Sequence, residues 1–176
     1  VDGSVVYVHA GGMIPVHGDR PDLSISAPSQ LCGYLLPTPA EGEALRQVVA
    51  STLDILRAAN DRVTIPLLAA VVAPLLFESG ICVHLSGSSG VGKSTLAMLF
   101  LMFYGSDIDR TGVLSWNSTS NALISLAYHA KNTVIVIDDY KALGSYVQRG
   151  KLVERADNVI RAQANATGRS RMRSDL

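Results

Sequence analysis

The chain has 176 residues, 48% of them hydrophobic and 17% charged, enough to bury one good core as a single domain with or without an appendage. Fifteen Lys and Arg balance fifteen Asp and Glu, so no overall field draws the chain to a polyanion, and any nucleic-acid contact has to be local. Cys32 and Cys82 lack CxxC spacing, which argues against a zinc site or a disulfide framework and fits a reducing cytoplasm.

Residues 1–40 are rich in Gly, Pro and Ser, and the β-branched stretches Val5–Val8 and Ile14–Val16 flank Gly11-Gly12, a pattern that predicts a hairpin in an appendage or linker. Residues 41–79 form a helical lead-in. Leu45, Val48, Val49, Thr52, Leu53 and Leu56 recur at helical spacing up to about Ala59. Asn60 or Asp61 is placed to cap a second helix, about Val63–Phe77, with Pro66 in its first turn and Pro74 ending or kinking it. Its apolar run, Ile65–Phe77, falls short of the roughly 20 residues a bilayer requires and predicts a buried helix.

Residues 80–176 alternate strand and helix. Ile81–Ser86 is a short apolar run flanked by Gly and predicts a fully buried strand. Leu96, Leu99, Phe100 and Phe103 keep helical spacing from Lys93 to Tyr104, and Gly105 follows as a natural C-terminal cap. Gly112–Trp116 then predicts a strand, Ser118–Lys131 a helix capped by Ser118 or Thr119, Thr133–Ile137 a strand, and Tyr146 to about Ala166 a helix. The fold class is therefore α/β, a mainly parallel sheet sandwiched by helices. Val1 is no initiator Met, and the first residues show no basic n-region or cleavage signal, so the expectation is a segment of a longer protein, truncated at its C-terminal end.

Three stretches carry chemistry. Gly87-Ser88-Ser89-Gly90-Val91-Gly92-Lys93-Ser94-Thr95 lies between the expected strand and helix and matches a P-loop. In a P-loop the glycines let the backbone N–H groups curl around the phosphates of ATP or GTP at the positive end of a helix. Lys93 would bridge the β- and γ-phosphates and Ser94 would offer its hydroxyl to Mg²⁺. A second stretch, Val134-Ile135-Val136-Ile137-Asp138-Asp139, is an apolar strand ending in two carboxylates. Beside a P-loop, Asp138 is a Mg²⁺ ligand and Asp139 a general base on the attacking water; alone, the same residues are an Asp-rich turn. Many ATPases carry Glu at the second position, and the shorter Asp139 sets its carboxylate about one methylene back, which predicts slow or absent hydrolysis. Third, Gly168-Arg169-Ser170-Arg171-Met172-Arg173 concentrates three arginines after a helix. Arg171, or else Arg169, suits a finger onto a neighbouring subunit's γ-phosphate; the plainer readings are a solvated turn or a nucleic-acid backbone contact. Trp116 reads as packing, Asn117 and Thr119 as helix caps, and His9, His17, His84 and His129 show no metal spacing.

In that order, with Trp116-Asn117-Ser118-Thr119 between the P-loop and the acidic pair, the chain from Leu45 to Asp175 resembles the helicase-like ATPase modules of primase-helicase and replication proteins from phages, plasmids and other mobile elements. The resemblance implies an AAA+-like P-loop ATPase, a hydrolase using ATP and Mg²⁺, that works in a homo-oligomeric ring on DNA with an arginine supplied across each subunit boundary. It also implies a further strand bearing a polar sensor residue, lying between the P-loop strand and the Asp138 strand. None follows Asp139 here, so the sheet is expected to be incomplete. The competing expectations are a regulatory or degenerate module that binds nucleotide with little turnover, and a small-molecule kinase, disfavoured for want of an Arg-rich lid. No membrane association is expected.

Overall fold

The structure, a computed structural model, describes residues 6–9, 11–15, 26–36, 39–77, 80–105, 108, 112–130, 132–141 and 144–165. Two strands, β1 (Val6–His9) and β2 (Gly12–Pro15), pair antiparallel with His9 opposite Gly12, so the sequence-expected hairpin forms. It is fastened to the turn ahead of the acidic strand. The Tyr7 hydroxyl donates to Asn132 O, and the Asn132 side-chain amide donates to Val8 O at 2.8 Å. A short 3₁₀ turn at Ser29–Leu31 then sends Leu31 and Tyr34, both inside the expected appendage, into the core. The Tyr34 hydroxyl, which would be costly to bury unpaired, donates to Val134 O at 2.8 Å.

Helix α1 (Gly42–Leu53) buries none of its residues, and Leu45, Val48, Val49 and Leu53 along one side are each about half exposed. A 3₁₀ turn at Asp54–Ala58 links it to α2 (Asp61–Leu76), where Asn60 Oδ1 accepts from Arg62 N at 3.0 Å. Because α2 starts at Asp61, Pro66 lies in its second turn, and the helix continues through Pro74 to Leu76. Pro74 can be carried so near the end because its missing N–H strands only the Ala70 carbonyl; in the same turn Val71 O accepts the Tyr104 hydroxyl at 2.6 Å. The buried helix expected is only partly buried: Thr64, Leu67, Val71 and Ala73 are buried, while Ile65, Leu75 and Leu76, and Phe77 that caps the helix, are exposed.

The remaining elements are α3 (Lys93–Leu101, continued by a 3₁₀ turn at Met102–Tyr104), β3 (Leu114–Ser115), α4 (Ser120–His129), β4 (Ile137–Asp138) and α5 (Tyr146–Ala164). Strands β3 and β4 run parallel, with Leu114 opposite Ile137 and Ser115 opposite Asp138. Leu114 N donates to Val136 O at 2.8 Å and Trp116 N to Asp138 O at 3.0 Å, which extends the ladder by a residue at each end. Alternation along 134–137 splits the side chains between two layers. Val134 and Val136 pack on the cluster built from Leu67, Val71, Phe100 and Leu101 of α2 and α3, and Ile137 packs on Leu114, Leu123, Ile124 and Val159, the last three from α4 and α5. The parallel pair is thus apolar on both faces.

A further element differs from expectation. Residues 80–88 are extended but form no strand, and Ile81 and Val83 are 56% and 40% exposed instead of fully buried. A strand exists by pairing with a neighbour, and this stretch belongs to neither of the two-stranded sheets among the described residues. Leu85 alone of this stretch reaches the core.

Candidate phosphate-binding site

The loop at 87–92 owes its course to two glycines. Gly90 and Gly92 both hold φ of +80°, a left-handed conformation that residues with a Cβ rarely adopt, and Gly92 is the N-cap of α3. That cap brings no side-chain acceptor, so the first N–H groups of α3 have no capping partner at the positive end of the helix dipole. Lys93, the first residue of α3, curls back over the loop. Its ammonium donates to Gly87 O at 3.0 Å and Ser88 O at 2.6 Å, which places a positive charge against the loop backbone. Ser88, Ser89, Val91, Ser94 and Thr95 are solvent-exposed among the described residues.

The acidic strand meets this loop through Ser94. A hydrogen bond from the Ser94 side chain to Asp138 is the main reason that the Asp138 carboxyl is held below the usual carboxylate range; burial opposes it, and a hydrogen bond from the Asp139 backbone and the charges of Lys141 and Lys93 add to it. Residues 94 and 138, brought together from different elements, offer a hydroxyl and a carboxylate oxygen, the hard donors that Mg²⁺ takes while keeping several of its own waters. The pair therefore fits the ion. Among the described residues there is no cluster of three or more His, Cys, Asp or Glu that would hold a metal by side chains alone.

Asp139 leaves β4 with φ +63°, and its carboxylate is 3.4 Å from the ammonium of Lys141. Sequence reasoning missed Lys141, although the spacing Asp-Asp-x-Lys was there to be read. It also missed the ring cluster beside the site: Tyr140 lies perpendicular to Trp116, with ring centres 5.8 Å apart, and to His84, with centres 6.3 Å apart. Trp116 is half-buried against the α4–α5 core, and Arg155 donates to its carbonyl. Thr119 caps α4, its hydroxyl accepting from Ala122 N at 3.2 Å. The arginine candidates Arg169 and Arg171 lie outside the described residues.

A family model matches residues 51–175, well over half of the chain. The chain belongs to that family, described as Domain of unknown function (DUF927). The DUF927 span takes in the loop at 87–95, Asp138, Asp139 and Arg171, and leaves out the hairpin and most of α1. No curated protein and no solved structure matches the chain. Among the described residues, no helix is long and apolar enough to cross a membrane.

Proposed function

We propose that the chain is the ATP-binding and ATP-hydrolysing module of a DNA helicase or replication-initiator protein. The observation that supports the nucleotide site is the approach of Lys93 and Ser94, which open the helix after the glycine loop, to Asp138 at the end of a parallel strand, near enough to hold its carboxyl below the usual carboxylate range. In this reading the N–H groups of 88–94 and the Lys93 ammonium bind the phosphates, and Ser94 and Asp138 hold Mg²⁺. When bound, Mg²⁺ supplies charge neutralisation on the phosphate oxygens. Asp139 orients the attacking water, and Arg171 of a neighbouring copy in a ring stabilises the charge that develops on the γ-phosphate.

The motor on DNA rests on the order of motifs shared with primase-helicase modules, and a cytoplasmic setting on the exposed free thiols of Cys32 and Cys82. A second reading, nucleotide binding with little turnover, is favoured by one feature: Asp139 is engaged by Lys141. Steady-state ATPase assays with and without single-stranded DNA separate the two. Turnover that DNA raises and Lys93→Ala abolishes supports the motor. Tight MgATP binding with no turnover under any DNA supports the regulatory module, and phosphate transferred to a small acceptor would sink both.

A further inference from the structure

The chain reverses sharply beyond Asp138, and the reversal places a cation. Lys141 N–H donates to Asp139 O at 2.7 Å, a turn that spans only Tyr140, and the left-handed φ of +63° at Asp139 aims the chain into it. The tyrosine at the apex makes perpendicular ring contacts with Trp116 from the end of β3 and with His84 from the segment leading to the phosphate loop. With Tyr140 held by these rings, the turn carries the Lys141 ammonium to 3.4 Å from Asp139 Oδ1.

A polyanion entering this site faces two adjacent carboxylates. Asp138 is engaged by Ser94 and Lys93 by the loop carbonyls, which leaves Asp139 as the negative charge that the terminal phosphate would meet. Lys141 is the cation that offsets it. We infer that Lys141 is a positioning residue of the nucleotide site, whose ammonium neutralises and orients the Asp139 carboxylate so that a γ-phosphate can share its edge of the sheet. The role rests on the nucleotide reading above. The pair is 69% and 53% exposed, and exposed pairs of this kind add little to folding, so stability alone gives it no purpose.

Binding of MgATP and MgADP is measured calorimetrically at low salt for the wild-type chain, Lys141→Ala, Lys141→Arg and the double variant Lys141→Ala/Asp139→Asn, with melting temperatures alongside. Unmasking one charge at roughly 4 Å under water-like screening is worth about fivefold. Lys141→Ala should therefore weaken MgATP about fivefold and MgADP less than twofold, at an unchanged melting temperature. Lys141→Arg should restore MgATP binding, and so should the double variant, because it removes the carboxylate charge that Lys141 neutralised. The role is overturned if Lys141→Ala binds MgATP as the wild type does, or if the double variant stays as weak as the single one. A wild-type chain that binds no MgATP, or a Lys93→Ala chain that binds it equally well, sinks the nucleotide site itself and this role with it.

Discussion

Lys93→Ala probes the site most directly, because the resting contacts of Lys93 set the size of the effect. The ammonium makes two hydrogen bonds to loop carbonyls, at 3.0 and 2.6 Å, and has to leave at least one of them to reach a phosphate. The bonds to the carbonyls already have one charged partner, and exchanging the carbonyls for anionic phosphate oxygens adds charge–charge attraction of roughly 2 kcal/mol. At about 1.4 kcal/mol per decade, Lys93→Ala is expected to weaken MgATP binding about 30-fold. The fold should hardly notice, since the bonds given up are solvent-exposed and local; a loss of stability under about 1 kcal/mol is expected. Displacement of a fluorescent ATP analogue measures affinity, and urea denaturation of the same samples measures stability. If the folded variant binds MgATP within about threefold of the wild type, the ammonium does not meet phosphate and the argument fails.

Three further predictions concern the framework that presents the site. Leu123, fully buried among Leu114, Ile124 and Val159, sits at the α4–α5 contact beneath the parallel strands; Leu123→Ala should cost about 2–5 kcal/mol in urea denaturation, and under 1 kcal/mol would mean that the two helices do not close on those strands. At Gly105 an added Cβ would lie 2.0 Å from Gly33 O and 2.9 Å from Leu35 N, both backbone atoms that cannot swing away, so Gly105→Ala should lose at least about 2 kcal/mol. An unaffected melting temperature would show that residues 33–35 do not seat there. Burial lowers the pKa of His9 from 6.5, and its Nδ1 accepts from Gly11 N at 3.1 Å, so the fold favours the neutral ring. A depressed histidine means that the unfolded chain binds more protons: this stability is complete above about pH 6.5 and declines as pH falls from there toward the folded-state value. Denaturation midpoints from pH 7.5 down to 5.5 should drop accordingly, and His9→Asn should flatten the slope.

Local chemistry was legible wherever contiguous residues decide the outcome. The glycine loop needs only Gly90 and Gly92 at the right spacing before Lys93, and both take up the left-handed backbone such a loop requires. Asn60 and Thr119 cap helices within two or three residues of themselves, as their short polar side chains suggest. Strand behaviour was less legible. Ile81–Ser86 has the composition of a buried strand, yet its side chains are largely exposed, because burial and ladder bonds depend on a neighbour that composition does not supply. Leu31 and Tyr34 read as part of a polar appendage, since nothing in a Gly- and Pro-rich stretch announces that two side chains will plug a core formed by α2 and α3.

By itself, then, the sequence determined the pieces of the site: the loop at 87–95, the carboxylates Asp138 and Asp139 at a strand end, and the helix that Lys93 begins. Each depends on interactions within a few residues, which are the same in any context. Only the tertiary structure decided that Ser94 reaches Asp138, that Trp116 and His84 converge on Tyr140, and that Asn132 fastens the hairpin. Those meetings depend on how helices and strands pack, a global balance of burial and backbone pairing that no local pattern encodes.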